Sequence, residues 1–217
     1  MNFGGDELVY DYTASKIIIV PVPYDETSTW VRGSDKGPEA VMEASVNLEF
    51  YDAETGTEVH KKGIYTIKPV TSHESPEKLV NNVCETVYSL LNDGKFPVLV
   101  GGNHTISIGA FRAFSEYYDN LSFLQLDAHS DLRDEYNGSK YNHACVMARA
   151  IELAPVVQVG IRSMAAEEVP LASKSRIYYA HDLYYNKNLY REAISGLTQN
   201  VYITIDLDVF DPSLIPS

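Results

Sequence analysis

At 217 residues, 45% hydrophobic and 22% charged, the chain has the composition of an ordinary folded domain long enough to bury a sizeable core. Its formal charge of -13 argues against nucleic acid as a partner, since phosphate binding needs a basic face, and suits cationic partners or metals. No apolar run approaches the roughly 20 residues of a membrane span, and the opening MNFGGDELVYDY has neither a basic nor an apolar leader region, so the expected compartment is the cytoplasm.

In chain order, IIIVPV at 17–22 reads as a buried strand, followed by a Pro-, Asp-, Thr- and Gly-rich loop as far as Gly37-Pro38. Pro38 suits the first turn of a helix running to about Phe50, with Ala40, Val41, Ala44 and Leu48 spaced to face a core. Residues 64–70 form a weaker strand. Ser75-Pro76-Glu77 is a helix start, a hydroxyl cap followed by proline and an acid in the first turn. Leu79, Val83, Val87, Leu90 and Leu91 supply its apolar stripe, and Gly94 ends it. A buried strand at 96–100 runs into Gly101-Gly102-Asn103-His104, and a helix follows at 105–118. The strand that opens LSFLQLDAHSD comes next, then a polar loop at 132–142 and a helix at 143–153. Strands at 156–161, 176–180 and 201–206, with a helix at 187–197 between the last two, complete the pattern. Strands alternating with helices predict an α/β protein, a mostly parallel central sheet covered on both faces. Cys84 and Cys145 share no C-x-x-C spacing, so both are expected to be buried thiols without a disulfide or thiolate metal site.

Three strand ends deliver polar residues toward one edge of such a sheet: His104 after Gly-Gly, the set Asp127, His129 and Asp131, and Asp206 with Asp208 in ITIDLDVFDP. Side chains two apart in an extended chain leave on the same side, so each set can converge where open α/β sheets usually place their ligands. Alone, Asp-Ala-His reads as a helix cap beside a core histidine, and Asp-x-Asp as a turn. Together, four aspartates and two histidines make a set for two divalent ions, with imidazole suiting manganese, zinc or iron. Two ions about 3.5 to 4 Å apart generate a water-derived nucleophile near neutral pH. His60, His73 and His181 sit in polar surroundings and are expected at the surface, while Trp30 and Arg32 suit packing, a site mouth or a subunit contact.

GGNHTIS, DAHSDLRDEYNG, NHACVMARA and DLDVFDP, in this order, resemble the ureohydrolase (arginase/agmatinase) family, and PYDETSTWVRGSDKGPEAV and VQVGIRS resemble its flanking motifs. The resemblance covers essentially the whole chain. It implies a three-layer α/β/α fold with a central mostly parallel sheet, two Mn2+ per subunit, and a trimeric or hexameric homo-oligomer. His104, Asp127, Asp131 and Asp206 would hold one ion, and Asp127, His129, Asp206 and Asp208 the other. Asp131 and His143 would carry protons as the guanidinium is hydrolysed to urea and an amine. The loop at 132–142 would choose the substrate tail and resembles that of prokaryotic agmatinases. Asp134, Glu135, Asn137 and His143 are its substrate-binding candidates, the two acids favouring a cationic tail. The implied activity is agmatine to putrescine and urea. Alternatives are aminopropylagmatine, guanidinobutyrate or arginine as substrate, or a non-catalytic metal-binding member.

Two positions depart from the family pattern. Asn103 stands where an acid usually precedes the first metal histidine, which keeps hydrogen bonding but loses a charge beside the metal. The chain ends at DPSLIPS, where family members continue through a segment with a guanidinium-binding glutamate. Residues 1–217 are accordingly expected to be a single ureohydrolase domain, truncated at its C-terminus relative to the family.

Overall fold

A computed structural model describes residues 2–72 and 74–215, in two compact units, the first reaching Ile106 and the second starting at Ser107. In the first unit, β1 (Ile17–Val22) lies between β2 (Ile64–Thr66) and β3 (Phe96–Gly101), all parallel, with Ile17 opposite both Ile64 and Phe96. The helices α1 (Gly37–Ser45) and α2 (Pro76–Asn92) accompany this sheet. The start of α2 is as expected: Ser75 accepts a hydrogen bond from the Lys78 amide at 3.1 Å. Leu79, Val83, Val87, Leu90 and Leu91 are all buried, and Gly94, with φ +70, follows its end.

The helix after Pro38 differs from expectation. It ends at Ser45, and Ala40, Val41, Ala44 and Leu48 are exposed, while Pro38, Met42 and Ser45 are buried. A buried serine sets that face: the Ser45 hydroxyl donates to the Met42 carbonyl at 2.6 Å and accepts from the Gly4 amide at 2.9 Å. An apolar count alone misses a stripe anchored by a hydroxyl. The strand expected over 64–70 is shorter, ending at Thr66.

In the second unit the sheet order is β6 (Arg176–Tyr179), β5 (Val156–Ile161), β4 (Leu121–Leu126), β7 (Asn200–Ile205), again all parallel. The helices are α3 (Ile106–Tyr117), α4 (Val146–Ala150), α5 (Val169–Ala172), α6 (Ala180–Tyr185) and α7 (Asn188–Ser195). The helix expected over 143–153 is a 3-10 turn at His143–Cys145 followed by the short α4. Phe111 of α3 and Phe123 of β4 are fully buried with ring centroids 4.4 Å apart, and Tyr202 of β7 meets Phe111 edge-on at 5.3 Å. Such aromatic pairs add to the energy of burial and fix α3 on the strand that carries Asp127.

β3 is less buried than the sequence predicts, and β7 is exposed in part. Each has one strand partner among the described residues, and Phe96 is 60% exposed, Ile203 54% and Ile205 55%. Cys145 is buried, which pushes its thiol up to about 12, whereas Cys84 is only half-buried. His181 is exposed and stacks on Tyr179, and His60 is half-buried against Phe50; His73 lies outside the described residues. No helix among the described residues is long and apolar enough to cross a membrane.

Candidate metal centre

Asp127 follows the last residue of β4, and the neighbouring strands hold it there. Its amide donates to the Val159 carbonyl at 3.2 Å, and the Asp206 amide donates to the Leu126 carbonyl at 2.9 Å, so the carboxyl ends of β4 and β7 meet. Gly160 makes room: its φ is +96, and a Cβ there would lie 2.8 Å from the Val209 side chain and 3.1 Å from the Asp127 carbonyl. Only glycine takes both the conformation and the approach without cost.

The Asp127 carboxylate is fixed at both oxygens, one accepting from the His129 amide at 2.7 Å and the other from Gln125 Nε2 at 2.7 Å. Gln125 is held in turn by Gln158 Nε2 at 2.5 Å, and Gln158 accepts from Ser175 Oγ at 2.8 Å. Both glutamines are fully buried, so this chain of amides exists to be satisfied internally and sets the carboxylate's orientation. Sequence reasoning missed the pair; its one signal is a glutamine in each of two apolar runs, LSFLQLD and VVQVGI, which the register sets opposite each other.

His129 Nδ1 lies 2.9 Å from Asp208 Oδ2 and 3.9 Å from Asp127 Oδ1. Asp208 also accepts from the Ala128 amide at 3.0 Å, and Asp206 caps its own turn by accepting from the Asp208 amide at 3.2 Å. Arg162 fastens that turn, donating to the carbonyls of Asp208, Val209 and Phe210. The hydrogen bond to Asp208 outweighs burial and, with the charges of Asp208, Asp131 and Asp127, raises the His129 pKa to about 9. Burial pushes the Asp208 carboxyl up, but the His129 and Ala128 hydrogen bonds and the histidine's charge together hold it below the usual carboxylate range. Ligand atoms of Asp127, His129 and Asp208 all lie within 4.8 Å of one another, two carboxylates and an imidazole in the mixture that suits manganese, iron or zinc.

Asp131 is buried with φ +51, a conformation that costs a residue with a side chain and recurs at functional sites. Both neighbours hold it there: one Glu168 oxygen accepts from Ser130 Oγ at 2.7 Å and from the Leu132 amide at 2.8 Å, and the other from the Ala165 amide at 2.5 Å. The Asp131 carbonyl accepts from the Met147 and Ala148 amides at 2.9 and 3.2 Å. Glu168 carried no sequence signal, since it stands in an ordinary acidic pair 37 positions from the residue it supports.

His143 opens the 3-10 turn, where Asn142 Oδ1 accepts from the Ala144 amide at 3.2 Å, and its ring meets Tyr136 edge-on at 6.1 Å. The remaining loop candidates lie apart from this cluster in role. Asp134 is exposed and paired with Arg149 at 2.5 Å and Lys140 at 3.4 Å; the Arg149 hydrogen bond holds its carboxyl below the usual range. Asn137 has φ +51 and precedes Gly138 at φ +76, between Tyr136 and Ser139, which exchange backbone hydrogen bonds of 3.0 and 3.1 Å, an Asn-Gly hairpin turn. Glu135 is exposed. His104 stands at the carboxyl end of β3 in the first unit, behind Gly101-Gly102-Asn103.

The arginase family model matches residues 15–217. The chain belongs to the arginase family. This arginase-family chain is 40% identical to the N(1)-aminopropylagmatine ureohydrolase of Synechocystis, over 99% of its own length and 74% of that protein's. It is 33% identical to the agmatinase of Pyrococcus horikoshii, over 95% of its length and 72% of the relative's. Among solved structures, the agmatine ureohydrolase of Thermoplasma volcanium superposes with a TM-score of 0.91 at 33% identity, over 100% of this chain and 74% of that one. The fold is the arginase-like α/β fold, parallel sheets with flanking helices, as the sequence pattern predicts.

Proposed function

We propose that this chain is a manganese-dependent amidinohydrolase that splits the guanidinium of agmatine into putrescine and urea. The observation that carries the reading is the Asp127, His129 and Asp208 cluster at the carboxyl ends of parallel strands, in a chain related to agmatinases. Two ions would be held by these residues with Asp206, Asp131 and His104, the last assigned by the GGNH motif it closes. Bound there, divalent manganese lowers the pKa of water toward neutrality and supplies positive charge for the transition state.

The chain's own residues handle the protons. Hydrolysis replaces the C–N bond to the amine with the carbonyl C–O of urea, so the two protons of the attacking water must leave its oxygen and be passed on to the departing nitrogen. The Asp131 carboxylate is assigned the first transfer, and the His143 imidazole the second. Asp134 is already neutralised by Arg149 and Lys140, so among the two loop acids the exposed Glu135 is the better candidate to meet a cationic tail.

A second reading, the aminopropyl-extended agmatine as substrate, is favoured by the 40% identical relative that carries that name. Urea release from agmatine, aminopropylagmatine, guanidinobutyrate and arginine, with manganese supplied, separates them. The first reading expects agmatine to be turned over fastest and arginine poorly. Preference for the extended amine would replace it with the second, and two bound metals with no urea from any of the four would overturn both.

Metal uptake is expected to expel the His129 proton, because an imidazole must be neutral to ligate. The sign follows from the raised pKa: in the metal-free protein, the His129–Asp208 pair stabilises the fold fully below about 6.5 and loses that contribution as pH rises through about 9. Manganese affinity moves the opposite way, rising about tenfold per pH unit from this one proton until about pH 9. Calorimetric titration in buffers of different protonation enthalpy checks it; an affinity flat between pH 7 and 9 would contradict the pairing.

A further inference from the structure

The loop from Tyr24 to Ser34 in the first unit closes on itself and on the turn that precedes His104. Asp25 gathers its two ends, accepting from Ser28 Oγ on one side and from the Gly33 amide at 2.6 Å and Ser34 Oγ at 2.8 Å on the other. The Asn103 amide donates to the Tyr24 carbonyl at 2.9 Å. A Cβ at Gly102 would lie 2.5 Å from the Ser34 carbonyl oxygen and 2.6 Å from that of Tyr24, so both loop ends press on this glycine.

The buried Asn103 side chain completes the junction. Its Oδ1 accepts from Thr27 Oγ1 at 3.0 Å, from the Thr105 amide at 3.1 Å and from Thr105 Oγ1 at 2.8 Å, and its Nδ2 donates to Ser28 Oγ at 3.0 Å. Ser28 has one hydroxyl proton, which goes to Asp25, and it can take the Asn103 hydrogen bond only as an acceptor. A carboxylate at 103 would compete with Asp25 for that single proton, whereas an amide supplies its own. The amide at 103 and the carboxylate at 25 are therefore a matched pair. Beyond this base the loop carries Trp30, 94% exposed and the chain's only tryptophan, so the loop is fixed at its root rather than packed at its tip.

We propose that Asp25 and Asn103 are positioning residues that lock the loop at 24–34 to the Gly102-Asn103 turn and thereby hold His104 ready to ligate a metal. The inference rests on His104 being a manganese ligand, as proposed above. Asn103 is then the local solution to a serine that can give only one proton.

Trp30 reports the loop directly through its fluorescence anisotropy decay, and manganese titration reports His104. Asp25→Asn and Asn103→Asp, each leaving one polarity mismatch, are expected to increase the fast local motion of Trp30. The double variant Asp25→Asn/Asn103→Asp reverses both polarities and is expected to recover the wild-type decay. Asn103→Ala is expected to weaken one manganese equivalent by about 10- to 100-fold, the cost typical of losing a ligand's supporting partner, with the other equivalent unchanged. His104→Ala should remove that same equivalent without mobilising Trp30. The proposal is overturned if the single variants leave Trp30 unchanged, if the double variant is no better than either, or if Asn103→Ala frees the loop with manganese binding intact. Manganese binding unaffected in His104→Ala would instead defeat the ligand assignment, and the positioning role with it, while the Trp30 decays still report whether the loop lock exists.

Discussion

Asp127→Ala is expected to abolish metal loading and reduce urea release to background. Asp127 is 1% exposed, and each of its carboxylate oxygens already receives a hydrogen bond, from the His129 amide and from Gln125 Nε2. Its ligand atoms lie within 4.8 Å of those of His129 and Asp208, so its loss would remove one of the proposed ligands and the anchor of another. Loss of turnover should exceed the ~10²-fold that removing a mere supporting group costs. The part-buried His129 amide would lose its acceptor and buried Gln125 Nε2 would keep only its longer hydrogen bond to the His129 carbonyl at 3.3 Å, so the fold should also be destabilised, by about 1–3 kcal/mol for each donor that finds no new partner. Asp127→Asn separates the effects: it keeps the volume and one acceptor, so the melting temperature should fall less while manganese content, measured by atomic absorption, falls as far. Retained activity in either variant would defeat the assignment.

What was legible in the sequence is what side-chain chemistry writes locally. The strands at 17–22 and 156–161 have the expected bounds because apolar, β-branched runs end at loop signals. The start of α2 is equally local, a serine followed by proline. The spacing of Asp127, His129 and Asp208 on strand ends also survived into geometry, because parallel strands bring their carboxyl ends to one edge. What failed depends on partners distant in sequence. The face of α1 turned on Ser45 finding the amide of Gly4. β3 and β7 each stand at the end of a sheet order among the described residues, a placement that strand composition does not encode. Asp134 reads as a free acid until Arg149, 15 positions on, is brought against it. Gln125, Gln158 and Glu168 support the candidate ligands through side-chain hydrogen bonds spanning 33 and 36 to 38 positions; a polar residue inside an apolar run marks the two glutamines but not their partners, and nothing marks Glu168.

Glu168→Ala is expected to impair the centre from outside it. Asp131 keeps a left-handed conformation, with φ +51, that costs on the order of 1–3 kcal/mol unless the surroundings impose it. One buried carboxylate imposes it from both sides, through Ser130 Oγ and the Leu132 amide, while its other oxygen ties it to the Ala165 amide. Removing the carboxylate strips the acceptor from two buried donors, at about 1–3 kcal/mol for each that finds no new partner, and from the half-buried Ala165 amide. Asp131 would then relax toward an ordinary backbone conformation and carry its carboxylate away from the proton it is assigned. Glu168→Gln is the sharper probe. Its single carbonyl oxygen can still accept from Ser130 and Leu132, whereas its amide nitrogen would face the Ala165 amide, donor against donor. Glutamine should therefore preserve more turnover than alanine, with a smaller loss of thermal stability, if the Asp131 side of the contact is what matters for chemistry. Equal loss of kcat in the two variants, with manganese still bound, would instead assign the catalytic effect to the Ala165 side and sink the role given to the Ser130–Leu132 contact.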